Sequence, residues 1–189
     1  MVLDLVFVVD TSSSIGAENF RMVRKFIVDI VDHYKVGSDT VQVAMVRYSR
    51  KPEILWGFEK HGDKTDLLYA IEAIPYPGGG TNTGLALETV TRELLGQSPF
   101  TGRRIGVPAA VVAITDGPSI DNVTKSAAIL REYATIMVVG VSELVQKKEL
   151  ETMASDPVNK YVLQVNMFED LTKFSRKVAA TLCDAKGGL

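Results

Sequence analysis

The sequence predicts an α/β fold in which a central, mostly parallel sheet is covered by helices on both faces. The runs 3–9, 111–114 and 136–141 are rich in consecutive apolar residues, which is typical of strands buried on both faces of a parallel sheet. Stretches with helical periodicity lie between these runs, and this alternation indicates a three-layer, doubly wound (Rossmann-like) arrangement. We expect one domain over residues 1–189, with a core of about 3–183.

Three further strands complete a six-stranded sheet. Segments 41–48 and 54–58 alternate more strongly between apolar and polar residues and are joined through residues 49–52, so they are predicted to pair at one edge. A weaker last strand is predicted over 161–165. We therefore expect one short antiparallel edge strand beside an otherwise parallel sheet.

The helices are predicted from apolar stripes and end signals. The first helix has apolar residues at spacings of three, four and seven, which place one stripe against the sheet: Phe20, Val23, Ile27, Ile30, Val31 and Tyr34. Gly37 is predicted to end it, and Asp121 is predicted to cap the fourth helix. The other helices are expected over 66–74, 83–95, 121–133, 147–154 and 171–182.

The charge balance excludes two classes of partner. With 21 basic and 23 acidic residues the net charge is −2, which provides no general attraction to nucleic acid or to anionic membranes. The clusters Arg21–Arg24–Lys25 and Arg103–Arg104 are short and are predicted to be solvated.

No apolar run approaches the roughly 20 residues needed to span a bilayer. No signal peptide precedes the first strand, so we expect either a cytoplasmic protein or a domain of a longer chain.

Three polar loops carry the chemistry. Residues 10–14 follow the first strand, residues 115–117 follow the fourth, and the glycine-rich segment 78–84 opens a helix. In open α/β sheets, ligands bind beyond the carboxyl ends of the strands. If the three loops meet there, they bring together five oxygen-bearing side chains: Asp10, Ser12, Ser14, Thr81 and Asp116.

These five side chains predict a site for a hard divalent cation. Two crowded carboxylates repel each other, and a cation relieves that repulsion. Oxygen ligands suit magnesium, manganese or calcium rather than zinc. Alternate residues of an extended loop point the same way, so residues 10–14 can supply three ligands. An unfilled coordination position is where a carboxylate from another molecule could bind.

The residues of these loops also allow other interpretations. Serine clusters such as residues 12–14 commonly cap helices. Gly79 and Gly84 have the spacing of a phosphate-binding loop, but Leu85 and Ala86 follow where lysine and a hydroxyl residue are required. A magnesium-dependent phosphatase of the haloacid dehalogenase kind needs a second acid at the position of Ser12 and a general acid, which is not found near Asp10. The chain is therefore predicted not to be an enzyme.

Together, the segments Asp10-Thr11-Ser12-Ser13-Ser14, Gly80-Thr81-Asn82-Thr83-Gly84 and Ile114-Thr115-Asp116-Gly117 resemble the three signature loops of the von Willebrand factor type A domain. The resemblance extends over nearly the whole chain, to Cys183. It implies the strand order 3-2-1-4-5-6 and a metal-ion-dependent adhesion site that holds magnesium, with manganese or calcium as substitutes. The positions that match the metal ligands of that site in the family are Asp10, Ser12, Ser14, Thr81 and Asp116.

Segments 4–10, 41–48 and 182–184 resemble matrix members of this family, such as collagens and matrilins, and the integrin inserted domain is also similar. The resemblance implies an extracellular module for adhesion or matrix assembly. Its partner would be an extracellular matrix protein such as collagen, or a cell-surface receptor, which supplies a carboxylate to the metal. The alternative is a matrix module whose partner binds a metal-independent surface. No nucleic acid and no membrane insertion are expected.

Several single residues carry further predictions. Cys183, the only cysteine, is either a buried or idle thiol on the last helix or, as the resemblance implies, bonded to a segment outside this chain. Residues 122–124 form a glycosylation sequon. Pro118 departs from the polar or basic residue usual in the family and fixes the loop beside the metal. Surface roles are expected for the two histidines and packing roles for two aromatic residues: His33, His61, Tyr48 and Trp56.

Overall fold

The apolar run that begins at Leu3 forms the central strand of a six-stranded sheet. The computed structural model describes residues 1–96 and 101–185, and β1 (Leu3–Asp10) is buried along its entire length. It pairs in parallel with β2 (Val41–Tyr48) on one side and with β4 (Ala109–Thr115) on the other. Residues 97–100 and 186–189 of the predicted domain lie outside the described part.

The sheet order β3-β2-β1-β4-β5-β6 confirms the predicted topology. The remaining strands are β3 (Pro52–Trp56), β5 (Thr135–Val141) and β6 (Val162–Val165). As predicted, β3 is the antiparallel edge strand, but it begins two residues earlier than expected. A proline is tolerated as the first residue of an edge strand, because no ladder hydrogen bond depends on its missing N–H group.

The helices cover both faces of the sheet. The described ranges contain α1 (Ala17–Asp32), α2 (Lys64–Glu72), α3 (Thr83–Thr89), α4 (Thr124–Tyr133), α5 (Lys147–Met153), α6 (Val158–Tyr161) and α7 (Ser175–Leu182). The apolar stripe predicted for α1 is confirmed as its buried face. Within these ranges, no helix is both long enough and apolar enough to cross a bilayer.

Several predicted helix boundaries differ from the structure. The first helix ends at Asp32, well before Gly37, because the N–H groups of His33 and Tyr34 turn to carbonyls three residues back. The helix predicted over 83–95 changes at Val90–Leu95 into a π-helix. Hydroxyl groups near this change donate to carbonyls four residues back, a type of bond that bends helices.

The C-terminal helix and the fourth helix also begin differently from the prediction. A 3₁₀ helix over Phe168–Phe174 precedes α7, so only Ser175–Leu182 is α-helical. The fourth helix begins at Thr124, and its N-cap residue Val123 makes no side-chain cap bond. The prediction that Asp121 caps this helix is therefore wrong, and Asp121 has a different role described below.

The prediction that Arg103 and Arg104 are solvated is wrong. Both side chains pair with the fully buried carboxylate of Asp4, at 2.6 Å from Arg103 Nη1 to Oδ2 and 2.6 Å from Arg104 Nη2 to Oδ1. The backbone N–H of Arg104 also donates to Oδ2, at 2.9 Å. Local sequence does not reveal this arrangement, because the partners are about one hundred residues apart in sequence.

The first basic cluster is solvated only in part. Arg21 and Lys25 are exposed, as predicted. Arg24 instead donates to the carbonyl of Ile74 at 3.0 Å, and its guanidinium lies 5.5 Å from the ring centroid of Phe20. Arg24 therefore connects α1 to the segment that follows α2.

The histidines differ from each other. His33 is exposed, as predicted. The ring of His61 packs edge-on against Trp56 at 4.8 Å between centroids, and its Nδ1 lies 2.5 Å from Oδ2 of Asp66. His61 is thus half-buried, and its predicted surface role is wrong. The packing roles predicted for Tyr48 and Trp56 are confirmed, because both side chains are buried.

Candidate metal centre

The predicted site lies where the sheet topology changes direction. The neighbours β1 and β4 end side by side at Asp10 and Thr115, while the chain after β1 returns through α1 to β2 on the other side. In open α/β sheets, this point forms a crevice beyond the carboxyl ends of the strands. The topology therefore delivers Asp10 and Asp116 to the same crevice.

Asp10 is a fully buried carboxylate held by two hydrogen bonds. Its Oδ1 accepts from the backbone N–H of Ser12 at 2.7 Å, and its Oδ2 accepts from Oγ1 of Thr115 at 2.8 Å. Burial raises the pKa of Asp10 to about 6, and these hydrogen bonds offset the effect only in part. Within the described residues no basic side chain pairs with it. Sequence reasoning assigned Thr115 no role.

Ser12, Ser14 and Asp116 form a connected group of oxygens. Their hydroxyls are 3.1 Å apart, and Oδ1 of Asp116 accepts from Ser14 at 2.9 Å and from Ser12 at 3.4 Å. Burial is the main cause of a raised pKa at Asp116. Ser12 and Asp116 are buried whereas Ser14 is exposed, so the group opens to solvent on the Ser14 side.

The loop that carries Thr81 lies between the other two. Ser13 and Gly79 exchange two hydrogen bonds of 2.9 Å, and the N–H of Ile120 donates to the carbonyl of Thr81 at 2.8 Å. Position 79 requires glycine, because its φ is +125° and a Cβ atom would lie 2.8 Å from Oγ of Ser49. In the described structure, no hydrogen bond joins the Thr81 hydroxyl to the other four predicted residues.

Sequence reasoning missed a polar clamp formed by Ser119 and Asp121. The carboxylate of Asp121 accepts from the N–H groups of Gly84 at 2.7 Å and Leu85 at 2.8 Å, so it caps α3. Ser119 Oγ donates to Asp121 at 2.6 Å and accepts from the N–H of Thr83 at 3.1 Å. The clamp fixes the start of α3, immediately after Thr81.

Two other supporting residues had no recognisable sequence signal. The hydroxyl of Tyr76 donates to the carbonyl of Ser12 at 2.8 Å and accepts from the N–H of Gly16 at 2.9 Å. Oγ of Ser142 donates to the carbonyl of Asp116 at 3.0 Å. Both residues hold the backbone of the site from outside its motifs.

The donor set fits a hard divalent cation. The described part of the chain contains no group of three or more histidine, cysteine, aspartate or glutamate side chains arranged for a metal. A cation here therefore depends on hydroxyl oxygens in addition to the carboxylates of Asp10 and Asp116. Magnesium, manganese and calcium accept such ligands, whereas zinc prefers nitrogen and sulfur.

Three further residues named in the sequence analysis are exposed: Pro118, Asn122 and Cys183. Pro118 lies at the surface. The exposed Asn122 accepts through Oδ1 from the N–H of Thr124 at 2.8 Å, and its glycosylation stays a prediction. Cys183 is exposed, with Sγ 3.4 Å from the carbonyl of Ala179, and its proposed bond to another segment is likewise untested.

Comparisons with known proteins agree with this architecture. The family model described as "von Willebrand factor type A domain" matches residues 4–177. Collagen alpha-1(XII) chain of Notophthalmus viridescens is 35% identical over 186 residues, which is 98% of this chain and 20% of that protein. Vitrin of Mus musculus is 31% identical over 181 residues, 95% of this chain and 27% of that protein. The chain thus spans about a quarter or less of these relatives.

A solved structure also matches. Proximal thread matrix protein 1 from the mussel byssus, with a zinc-occupied MIDAS motif, superposes with a TM-score of 0.87 at 28% identity. The match covers 99% of this chain and 47% of that one. The fold, the family model and the relatives lead to one conclusion: the chain belongs to the von Willebrand factor type A domain family.

Proposed function

We propose that this domain is an extracellular binding module that grips an acidic group of its partner through a bound divalent cation. Asp10, Ser12, Ser14, Thr81 and Asp116 would hold the ion. We propose magnesium as the ion, with manganese or calcium as substitutes. When bound, it supplies positive charge and a free coordination position that accepts a carboxylate oxygen from another molecule.

One observation carries this proposal: the contact of the Ser12 and Ser14 hydroxyls with the carboxylate of Asp116, beside the buried Asp10. The pKa values of both aspartates are raised because burial disfavours their charged forms. A cation would relieve that cost. The exposed Ser14 marks the side from which a partner can approach.

The residues around the oxygens act as positioning groups. Thr115 and the N–H of Ser12 orient the carboxylate of Asp10. Ser142 holds the backbone of Asp116. Such supporting hydrogen bonds fix the direction of ligand oxygens and tune metal affinity. No histidine, lysine or cysteine contacts Asp10 among the described residues, which supports a binding role over catalysis.

We propose that the partner is an extracellular matrix protein such as collagen, or a cell-surface receptor. Collagen chains among the relatives support this proposal. A matrix protein of the mussel byssus whose corresponding motif holds zinc supports a divalent-cation site in a matrix protein. The same relatives support an extracellular location for this chain.

Isothermal titration calorimetry with MgCl₂ and with MnCl₂ tests the metal site. We expect uptake by the wild-type chain and a loss of affinity of roughly 100-fold or more in Asp116→Ala. Asp39→Ala removes an exposed acid between α1 and β2 and should bind as the wild type does. Absence of uptake by the wild-type chain would refute the proposal.

Binding to immobilised collagen, measured with MgCl₂ and with EDTA, tests the use of the metal. We expect EDTA and Asp116→Ala to abolish binding equally. Binding that survives both treatments would instead favour a metal-independent surface. Steady hydrolysis of p-nitrophenyl phosphate in MgCl₂ would contradict the assignment as a binding module.

A further inference from the structure

Two exposed side chains of different character rest on Gly80, the residue before Thr81. A Cβ atom at Gly80 would lie 3.0 Å from Cγ of Arg50 and 3.2 Å from Cδ1 of Ile120. A larger residue at position 80 would therefore displace both. We refer to these two side chains as the Arg50–Ile120 pair.

The pair is anchored to the loop that carries Thr81. The side-chain amide of Asn82 donates to the carbonyl of Arg50 at 2.9 Å, and the N–H of Ile120 donates to the carbonyl of Thr81 at 2.8 Å. Because consecutive Cα atoms are about 3.8 Å apart, Gly80 is next to a residue of the proposed metal site. The pair thus borders that site.

Neither side chain of the pair has a visible structural role. Ile120 is 73% exposed. Arg50 is exposed, and its guanidinium makes no ion pair or hydrogen bond within the described residues. On β2, by contrast, Arg47 pairs with Glu53 at 2.6 Å. Arginine is enriched at protein–protein interfaces, and the apolar side chain of Ile120 adds contact area beside it.

The charge around the pair favours an acidic partner. Arg50 and its neighbour Lys51 are both exposed and without an ion pair among the described residues, so they bring unpaired positive charge to the segment beside Gly80. Nearby acids are engaged with backbone N–H groups: Asp121 caps α3, and Glu149 accepts from Ser119 at 2.9 Å.

We propose that the Arg50–Ile120 pair is a second anchor for the partner segment that gives its carboxylate to the metal site. Arg50 binds a second acidic side chain of that segment, and Ile120 contacts an apolar side chain beside it. The occupant is thus a segment of an extracellular protein with two acidic residues and an apolar one. This inference rests on the metal-dependent binding proposed above.

A peptide array tests the second anchor. Each peptide has 12 residues with a fixed central glutamate and varied flanks, and binding is measured in MnCl₂ and in EDTA. Arg50→Gln is compared with Arg176→Gln, which removes the same charge from an exposed position on α7. Ile120→Ser is compared with Ile105→Ser, a fully exposed isoleucine that precedes β4 at the opposite end of the sheet.

We expect the wild type to select, in MnCl₂ only, peptides with a second acid and an apolar residue. In Arg50→Gln, the enrichment of peptides with a second acid should fall at least fivefold. In Ile120→Ser, the enrichment of peptides with the apolar residue should fall by a similar factor. Both control variants should select as the wild type does. Magnesium affinity, measured by calorimetry, should be unchanged in all four variants.

The outcomes separate this inference from the function on which it rests. EDTA-sensitive selection of a single acid, unchanged in Arg50→Gln, would refute the second anchor and leave the metal-dependent function standing. Selection of basic flanks would also refute the anchor. If no peptide binds in an EDTA-sensitive way, both proposals fail.

Discussion

At the scale of single residues, Asp10 shows how the fold prepares a site at a cost to its own stability. Its carboxylate is fully buried, and its hydrogen-bond donors are an N–H group and a hydroxyl, neither of which carries a positive charge. The pKa of about 6 expresses that cost. Relative to the ordinary aspartate pKa of 3.8, this shift corresponds to about 3 kcal/mol between the protonated and ionised forms.

This shift has a definite sign for stability. Between pH 3.8 and about 6 the folded, metal-free protein retains a proton on Asp10 that the unfolded chain has released. Protonation of Asp10 therefore contributes to the free energy of unfolding. This contribution is fully present below the unfolded pKa of 3.8 and is lost as the pH rises through about 6. In EDTA, we expect the free energy of unfolding to be lower at pH 7.5 than at pH 4.5.

Urea denaturation of Asp10→Asn tests this expectation. In this variant the free energy of unfolding should differ much less between pH 4.5 and pH 7.5 than in the wild type, because a neutral amide replaces the buried carboxylate. Asp39→Asn, at an exposed position, should keep the wild-type difference. If Asp10→Asn showed the wild-type pH dependence, Asp10 would not be the titrating group.

The members of the site were easier to predict than their supports. Asp10 and Asp116 follow recognisable strands, and Ser12 and Ser14 follow at alternate positions, so strand ends and residue chemistry suffice. The hydroxyl of Tyr76, by contrast, reaches Ser12 from 64 residues away in sequence. Contacts of that kind depend on tertiary packing and have no local pattern.

At the scale of elements, the start of α3 depends on residues that precede α4. Aspartate just before a helix is a common cap, so the sequence pattern assigns Asp121 to α4, which is the wrong helix. Its carboxylate instead meets the N–H groups of Gly84 and Leu85, some 36 residues away in sequence. The apolar stripe of α1 was predictable because it is local and periodic, whereas a cap that bridges two helices is neither.

Replacement of Asp121 should affect both stability and metal affinity. Asp121→Ala leaves two N–H groups at the start of α3 without an acceptor, and we expect a loss of about 1–2 kcal/mol. Because α3 begins just after Thr81, we also expect magnesium affinity to fall roughly 10–100-fold. Urea denaturation and calorimetry measure the two effects.

Asp63→Ala is the matched control for this prediction. Asp63 caps α2 by accepting from the N–H of Asp66 at 3.2 Å. Its removal should lower stability in a similar way and leave magnesium affinity unchanged. Equal losses of metal affinity in both variants would show that global destabilisation, rather than the position of Thr81, is responsible.

At the scale of the whole molecule, the two ends of the sheet are built for different purposes. The carboxyl end gathers two aspartates that have no cationic partner in the part of the chain that the structure describes. At the amino end, Asp4 is equally buried but paired with Arg103 and Arg104. The same residue type thus stands in the proposed cation site at one end and in an ion-pair cluster at the other.

The ion-pair cluster of Asp4 with Arg103 and Arg104 should be a major contributor to stability. Asp4→Asn leaves two partly buried guanidinium groups without their counter-charge, and we expect a loss of about 3 kcal/mol. Glu18→Gln breaks an ion pair with Arg21 in which both side chains are exposed, so it should change the urea midpoint little. Similar midpoints for the two variants would contradict this role of Asp4.

The positions of the chain ends bear on how the domain is displayed. The hydroxyl of Tyr34, just beyond α1, donates to the carbonyl of Ala179 on α7 at 2.8 Å, and β1 starts at Leu3 beside the start of β2. Met1 and Ala185 therefore lie toward the amino end of the sheet, away from the proposed cation site. Tandem copies could each engage a separate acidic group at once, and individually weak contacts would then combine into strong avidity.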